Sequence, residues 1–394
     1  MKVRRVFVIV VALAVALLPA TASASTGWVI QPTPNPACCG GEGFFNTFQA
    51  VSCISANDCT ATGNFWDLSA AGTEAEHWDG TSWQIEPTPN PATNPTANGP
   101  NAELRGVKCV SDAFCIAAGE YTNTAGVMQT LAERWNGTAW SIVVTPNPAG
   151  ATTSQLNAVA CTTVTNCIAV GYYQNSASTN LPLAERWNGI SWAIQSVPAT
   201  TGGRLRGVSC TSASACTAVG FAGSNGLADR WNGTAWKTQA VPKPTGAKSI
   251  QLNGVKCTSG TVCTAAGSGT YSASPGNVVK TLAERWSGSA WKNQPIPTPS
   301  PSGDGGTDVL TAISCTSSSA CTAVGYYENN QVLEDTLAEA WNGTAWTIQS
   351  TPNNDADNSL LGVACTTTAI CEAVGESDGD GGFSSGGNLA MQRT

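Results

Sequence analysis

Residues 156–195 read LNAVACTTVTNCIAVGYYQNSASTNLPLAERWNGISWAIQ, and two parts of this stretch recur along the chain. The first, running from Leu156 to Gly171, follows the pattern Leu-x-Gly/Ala-Val-x-Cys-x5-Cys-x-Ala-Val-Gly and occurs seven times. Its cysteine pairs are Cys53/Cys59, Cys109/Cys115, Cys161/Cys167, Cys210/Cys216, Cys257/Cys263, Cys315/Cys321 and Cys365/Cys371. Five residues before each first cysteine stands Phe48, Leu104, Leu156, Leu205, Leu252, Leu310 or Leu360. The second part, LAERWNGISW at 183–192, has close copies at 131–140, 227–236, 282–291 and 337–346 and a looser one, EAEHWDGTSW, at 74–83. First-cysteine spacings of 47 to 58 residues separate units rich in short apolar runs and turns. A period of that length belongs to stacked small sheets rather than to helical solenoids.

Each unit reads as four strands. The Leu-x-Gly-Val-x-Cys run is the first, the segment after the second cysteine (Cys167 to Gly171) the second, Leu-Ala-Glu-Arg-Trp the third, and Thr-Ala-Trp-x-Ile-Gln the fourth. Asn-Gly between the last two predicts a two-residue type I′ turn, because both central positions then need positive φ. That register sets Glu133 opposite Trp140 and Trp135 opposite Thr138. The cysteines fall on the two sides of the turn joining the first two strands, so each disulfide, one per unit, is expected to pin one tight hairpin. A four-stranded sheet cannot bury both faces alone, so equivalent sheets must stack around an axis.

The ends of the chain complete the count. The last unit stops at Leu389-Ala-Met-Gln-Arg-Thr394, where its siblings continue into Trp and a fourth strand. Residues 25–36 open Ser-Thr-Gly-Trp28-Val-Ile-Gln-Pro-Thr-Pro-Asn-Pro, which matches that missing strand. The expected fold is therefore all-β: a seven-bladed β-propeller of four-stranded antiparallel blades. The N-terminal strand closes the ring by completing the last blade, and each blade carries one disulfide. With Gly171-Tyr172-Tyr173 followed by Trp187, the unit resembles the secreted bacterial propellers grouped with kelch-type and galactose-oxidase-like domains. It departs from the kelch pattern in having one glycine where a doublet is usual and in its blade disulfides.

Residues 1–24 read as a secretory signal. Lys2, Arg4 and Arg5 precede an apolar run from Val6 to about Leu18, which is shorter than the ~20 residues of a spanning helix, and Ala22-Ser23-Ala24 supplies small residues for cleavage. Residues 25–394 then form one domain. Removing the signal takes the formal charge from −8 to −11, a surface that repels nucleic acid and anionic lipid. Sixteen cysteines with a single histidine, His77, indicate disulfides in an oxidising compartment rather than metal ligation. Cys38 and Cys39 fall outside the repeated pairs. The expectation is a secreted monomer with no membrane insertion after cleavage.

Variable loops on a repeated scaffold are where binding is expected. The residue four before each first cysteine should face the central channel: Gln49, Arg105, Asn157, Arg206, Asn253, Thr311 and Leu361. Of these, Arg105 and Arg206 could hold a carboxylate. Aromatic residues after the second strand, among them Tyr121, Tyr172, Tyr173, Tyr326 and Tyr327, suit sugar rings or extended peptide. The repeated Glu-Arg of the third strand (Glu133/Arg134, Glu185/Arg186, Glu284/Arg285) reads as structural, since a catalytic group is not needed in every blade. His77 stands at the arginine position of that strand. Acidic loops at Asp304–Asp308, Asp355–Asp357 and Asp378–Asp380 offer oxygen ligands for Ca²⁺ but lack the full twelve-residue calcium-loop pattern. No catalytic residue or cofactor is assigned. The function expected is a non-catalytic scaffold binding a glycan or an extracellular protein; the alternative is a polysaccharide-active hydrolase or lyase.

Overall fold

A computed structural model describes residues 27–34, 45–66, 71–91, 102–274, 276–299, 306–329, 331, 333–353, 357–378 and 386–394. The signal reading of residues 1–24 lies outside them, as do Cys38, Cys39, Asp304, Asp355 and Asp380. The described residues are all β, in five sheets of four strands and one of eight. In the third unit the strands are Thr153–Thr163, Asn166–Gln174, Asn180–Trp187 and Trp192–Gln195, paired antiparallel in chain order. The eight-stranded sheet is two such units joined by one parallel pair, Phe45 with Gly386. Its last unit takes its fourth strand from the front of the chain: Trp28–Gln31 pairs with Gly386–Arg393, Trp28 opposite Arg393 and Gln31 opposite Ala390.

All seven cysteine pairs of the repeat are disulfides. Each bridges directly opposed residues of a unit's first two strands, as with Cys161 and Cys167. Pinning a hairpin this short contributes ~2 kcal/mol in the chain-entropy model.

Their location also places them in the core. The second cysteine of every pair is a core residue: Cys59 is 2% exposed, Cys115 3%, Cys167 0%, Cys216 2%, Cys263 1%, Cys321 4% and Cys371 1%. The reason is its place in the ladder. It opens the second strand opposite a third-strand tryptophan, as Cys59 faces Trp78, Cys115 Trp135, Cys216 Trp231 and Cys263 Trp286; in the last unit Cys371 faces Arg393. The preceding unit covers the sulfur from the other side. Thr60 Oγ1 lies 3.9 Å from Cys115 Sγ, Thr217 Oγ1 3.6 Å from Cys263 Sγ and Thr322 Oγ1 3.7 Å from Cys371 Sγ. All seven second cysteines are thus sealed from solvent, and their role is to hold the fold.

The core lies between units. One cluster joins Ile116 and Ala132 of the second unit to Leu156, Leu183 and Trp187 of the third. Another joins Phe48 and Trp78 of the first to Val374 and Ala390 of the last. Phe48 and the six equivalent leucines are 0% exposed. A single unit would leave these side chains in water, so the units fold as a stack.

The outer hairpin differs from its expected register. Trp135 faces Trp140, Arg134 faces Ser141 and Glu133 faces Ile142, which leaves a four-residue loop, Asn136 to Ala139. Gly137 has φ +95° while Asn136 does not enter the positive-φ region, so no type I′ turn forms. Instead the Asn136 side-chain oxygen accepts hydrogen bonds from the backbone N–H of Thr138 and Ala139, at 2.9 and 3.0 Å. Capping by Asn or Asp, repeated at Asp79, Asn188, Asn232 and Asn342, frees the two tryptophans to face each other. In six units their rings sit 5.8–5.9 Å apart, worth roughly 0.5–1.5 kcal/mol per pair beyond the area they bury.

The fourth-strand tryptophans also link neighbouring units. The indole N–H of Trp236 donates to Gln195, that of Trp291 to Gln239, and that of Trp346 to Gln294. Trp28 donates to Gln349 and Trp83 to Gln31, so the same link spans both sides of the last unit. Trp140 uses Glu86 instead. Trp192 finds Val143 at the acceptor's position, and its buried N–H has no partner among the described residues. A buried unpaired donor costs about 1–3 kcal/mol. Val143→Gln is therefore expected to raise unfolding free energy by ~1 kcal/mol in a urea titration; a loss of stability would show that the valine's packing outweighs the missing bond.

Candidate functional site

The first strand of each unit carries a β-bulge at the position four before its first cysteine, seen as a register jump from Leu156 to Ala158, Leu205 to Gly207 or Leu310 to Ala312. The bulged residue leaves the ladder and turns inward. All seven bulged residues, Gln49, Arg105, Asn157, Arg206, Asn253, Thr311 and Leu361, line one cavity of about 650 Å³. Its wall below them is the aliphatic strip of the same strands, Val51, Val107, Val159, Val208, Val255, Ile313 and Val363.

The bulge also leaves a backbone carbonyl unpaired by the ladder, and the neighbouring unit supplies a donor. Asn157 Nδ2 donates to the Leu205 carbonyl at 2.6 Å, Asn253 Nδ2 to Leu310 at 2.9 Å and Thr311 Oγ1 to Leu360 at 2.6 Å. Three of the expected binding residues therefore clamp one unit to the next.

Arg105 is also occupied. Its Nε donates to both carboxyl oxygens of Glu120, at 2.7 and 2.9 Å, and its Nη2 to Glu103 at 2.6 Å. Burial works against the arginine's charge, but Glu120 and Glu103 outweigh it and hold its pKa above the ordinary value. Burial in turn raises the Glu120 pKa, while the Arg105 guanidinium pulls it back toward the carboxylate. The carboxylate this arginine was expected to hold is supplied from within its own unit.

Arg206 differs. Its side chain is exposed within the cavity, and its guanidinium lies 5.3 Å from the centroid of the Phe221 ring. No carboxylate or other acceptor holds it among the described residues. Burial and the like charges of Arg105 and Arg204 lower its pKa from an ordinarily very high value, so it remains a cation. Two residues away, Arg204 lies over the Tyr172 ring at 4.6 Å and donates at 2.8 Å to the Asn180 side-chain oxygen when that amide is oriented to present it. Gln49 has no side-chain partner among the described residues either.

The tyrosines divide. Tyr326 lines the cavity, and burial with nearby Glu334 and Glu376 raises its pKa. Tyr172 supports Arg204 from outside the cavity wall. Tyr173 and Tyr327 pack between sheets, and Tyr121 packs likewise with its hydroxyl donating to Gln129 at 2.9 Å. Consecutive residues of a strand point to opposite faces, so Tyr172/Tyr173 and Tyr326/Tyr327 cannot share a surface. These side chains stand at the end of the second strand, not in a free loop.

Arg204 and Glu120 belong to the site without having stood out in the sequence; Phe221 is one of the aromatic residues after the second strand. A signal for Glu120 existed. The residue after each second-strand glycine is Asn64, Glu120, Tyr172, Phe221, Ser268, Tyr326 or Glu376, a variable position beside an invariant one. Of the acidic loops, Asp357 Oδ1 accepts the Glu334 backbone N–H at 2.7 Å. Among the described residues no group of three or more His, Cys, Asp or Glu is placed to hold a metal ion. His77 Nδ1 lies 3.8 Å from Asp58 on an adjacent strand of its own sheet.

Repeated four-stranded units, with bulged first strands lining one cavity, define a β-propeller-like protein. No family model and no curated protein matches the chain by sequence. Among solved structures it is similar to YCF48 from Cyanidioschyzon merolae, at 10% identity and a TM-score of 0.53 over 93% of this chain and 98% of that one. It is also similar to the GH74 xyloglucanase from Xanthomonas campestris, at 12% identity and a TM-score of 0.49, over 83% of this chain and 50% of the other. For Trypanosoma rangeli sialidase the values are 10% and 0.47, over 90% and 55%. At such identities the likeness is one of fold.

Proposed function

We propose that this chain is a secreted, non-catalytic seven-bladed propeller that binds a glycan in its central cavity. Closure of the seven units into one ring is supported at the seam by three contacts. Trp28 pairs opposite Arg393, a Cβ on Gly362 would meet the Ala50 backbone at 2.9 Å, and Phe48 shares a cluster with Val374 and Ala390. Seven disulfide-pinned hairpins favour an oxidising, extracellular setting. Residues 1–24 are its secretion signal in this reading, and residues 25–394 its single domain.

The observation that carries the binding reading is the wall of the cavity. Among the described residues it combines aliphatic strand surface, amide and hydroxyl groups, one tyrosine and two arginines, with no Asp, Glu, His or Cys. Glycoside hydrolysis asks for two carboxyl groups flanking the bond; Glu103 and Glu120 hold Arg105, Glu376 accepts from Thr47 at 2.8 Å, and Glu334, near Tyr326, does not line the cavity. The volume lies within the range of small-ligand sites.

A glycan array probed with wild-type protein and with Gln49→Ala/Tyr326→Phe is the test, followed by a reducing-end assay on any sugar bound. Binding that weakens at least tenfold in the double variant, without bond cleavage, is expected. Released reducing ends would establish the hydrolase alternative, and an empty array alongside capture of an extended peptide would replace the glycan with a protein ligand.

A further inference from the structure

We infer that the cavity selects an acidic sugar, a uronate whose carboxylate pairs with Arg206; this rests on the glycan-binding reading above. The fourth unit carries two arginines, Arg204 and Arg206, whose like charges act on each other, and the structure treats them unlike Arg105. Arg105 is neutralised by two carboxylates at 2.6 and 2.7 Å. Arg204 has a neutral amide and a tyrosine ring for company, and Arg206 has only the Phe221 ring. Among the described residues neither has a carboxylate partner.

In a chain with 26 acidic and 18 basic side chains, a carboxylate for Arg206 was easily supplied, as the second unit shows for Arg105. The same bulge position thus has one arginine sealed by protein acids and one left open. An open guanidinium next to a second cation creates a locally positive potential that an anion relieves.

The geometry also favours a carboxylate on a sugar over a diffuse anion. A guanidinium presents paired N–H groups in a planar fork that matches a carboxylate bidentately. The Phe221 ring beside it restricts the plane of that fork. Around the same cavity Gln49, Tyr326, Thr270 and Ser268 offer hydroxyl and amide partners for sugar hydroxyls, while the valine strip offers an apolar surface for the ring's C–H face. A concave site to which seven strands contribute suits a compact ligand better than a continuous peptide, which is recognised along a groove or sheet edge.

Titration calorimetry with a panel of glucuronate-, galacturonate- and mannuronate-containing oligosaccharides, each beside its neutral counterpart, tests this. The acidic member of at least one pair should bind ten- to a hundredfold more tightly, a preference that shrinks as salt rises. Arg206→Gln should erase the preference while still binding the neutral sugar, with an unchanged melting temperature because Arg206 makes no hydrogen bond that holds the fold. Arg206→Lys, which keeps the charge and loses the fork, should retain only part of the preference. Equal binding of acidic and neutral members, or a preference that survives Arg206→Gln, would overturn the inference and leave the glycan reading standing. Failure of every member to bind wild-type protein would overturn both.

Discussion

Raising the pH from about 5 to about 9 is expected to destabilise this protein progressively, by about 5 kcal/mol or more in unfolding free energy. Six units bury one acid each at the third position of Leu-Ala-Glu-Arg-Trp: Glu76, Glu133, Glu185, Asp229, Glu284 and Glu339, all 0% exposed. Each faces a small alanine across the ladder, as Glu185 faces Ala169; Thr73 of the preceding unit donates to Glu133 at 3.1 Å, and Thr238 of its own unit to Asp229 at 2.6 Å. Burial pushes Glu133, Glu185, Glu284 and Glu339 up to about 8 and raises Asp229 as well. Glu76 is pushed up by burial and further by Glu74, a second buried acid where the six sister units have leucine in the third strand. The Asn388 amide N–H bridges this pair, at 2.9 and 3.4 Å.

A folded-state pKa above the unfolded one means the native state holds its proton longer. Stability from these groups is then complete below pH ~4.5, declines as the unfolded chain ionises, and is gone once pH passes the folded values near 8. The slope reaches at most ~1.4 kcal/mol per pH unit per group. Calorimetry or urea unfolding at pH 5, 7 and 9 reads it directly, and a flat or rising profile would refute the assignment. Glu185→Gln, a neutral side chain of the same shape, should leave pH 5 stability nearly unchanged and raise stability at pH 8.

Gly171→Ala is the substitution expected to do most harm, costing about 3 kcal/mol or more or preventing folding. The same bulge that turns Asn157 inward pushes the Gln155 carbonyl over the second strand, where a Cβ on Gly171 would sit 2.0 Å from that oxygen. At Gly119 the corresponding distance to Glu103 is 1.8 Å and at Gly220, to Arg204, 1.9 Å. The obstacle is backbone, so no side-chain rotation relieves it and the two strands must part. Gly276 is the control: nothing lies within 4 Å of its Cβ position, and Gly276→Ala should stay within about 0.5 kcal/mol of wild type. Equal stability of the two variants in urea would show that the bulge yields easily.

This glycine explains which parts of the molecule were legible in the sequence. Cys-x5-Cys and the glycine of Ala-Val-Gly are set by contacts inside one unit, and the apolar residue five before the first cysteine by the same between-unit packing each time, so they repeat and can be read. The match of Trp28 to the missing fourth strand was readable for the same reason. The pairing of the cysteines was legible too, but not their burial: only the stacked neighbour, with Thr60 over Cys115 or Thr217 over Cys263, turns a hairpin bridge into core. Features that depend on the bulge were hidden. A run such as Leu-Asn-Ala-Val looks like regular alternation, yet Asn157 leaves the ladder, and only then does its amide reach the next unit's Leu205. The outer loop misled because Asn-Gly is ambiguous between a two-residue turn and a four-residue loop capped by the asparagine side chain. Pairing of the two tryptophans, worth more than turn preference, selects the longer loop. The fates of Arg105 and Arg206 were hidden because both stand at the same repeat position; Glu120 against Phe221, at the residue after the glycine, decides between them.

The Trp28–Arg393 pairing has a consequence for chain connectivity. Those residues occupy the place where the other six units have two tryptophans bridged by four residues, so here alone among the described outer pairs the two strands are distant in sequence. Splicing a four-residue bridge there and opening any sister tip, such as Asn188–Ser191, would give a circular permutant with every ladder intact. The order of the units along the chain is thereby separable from how they pair.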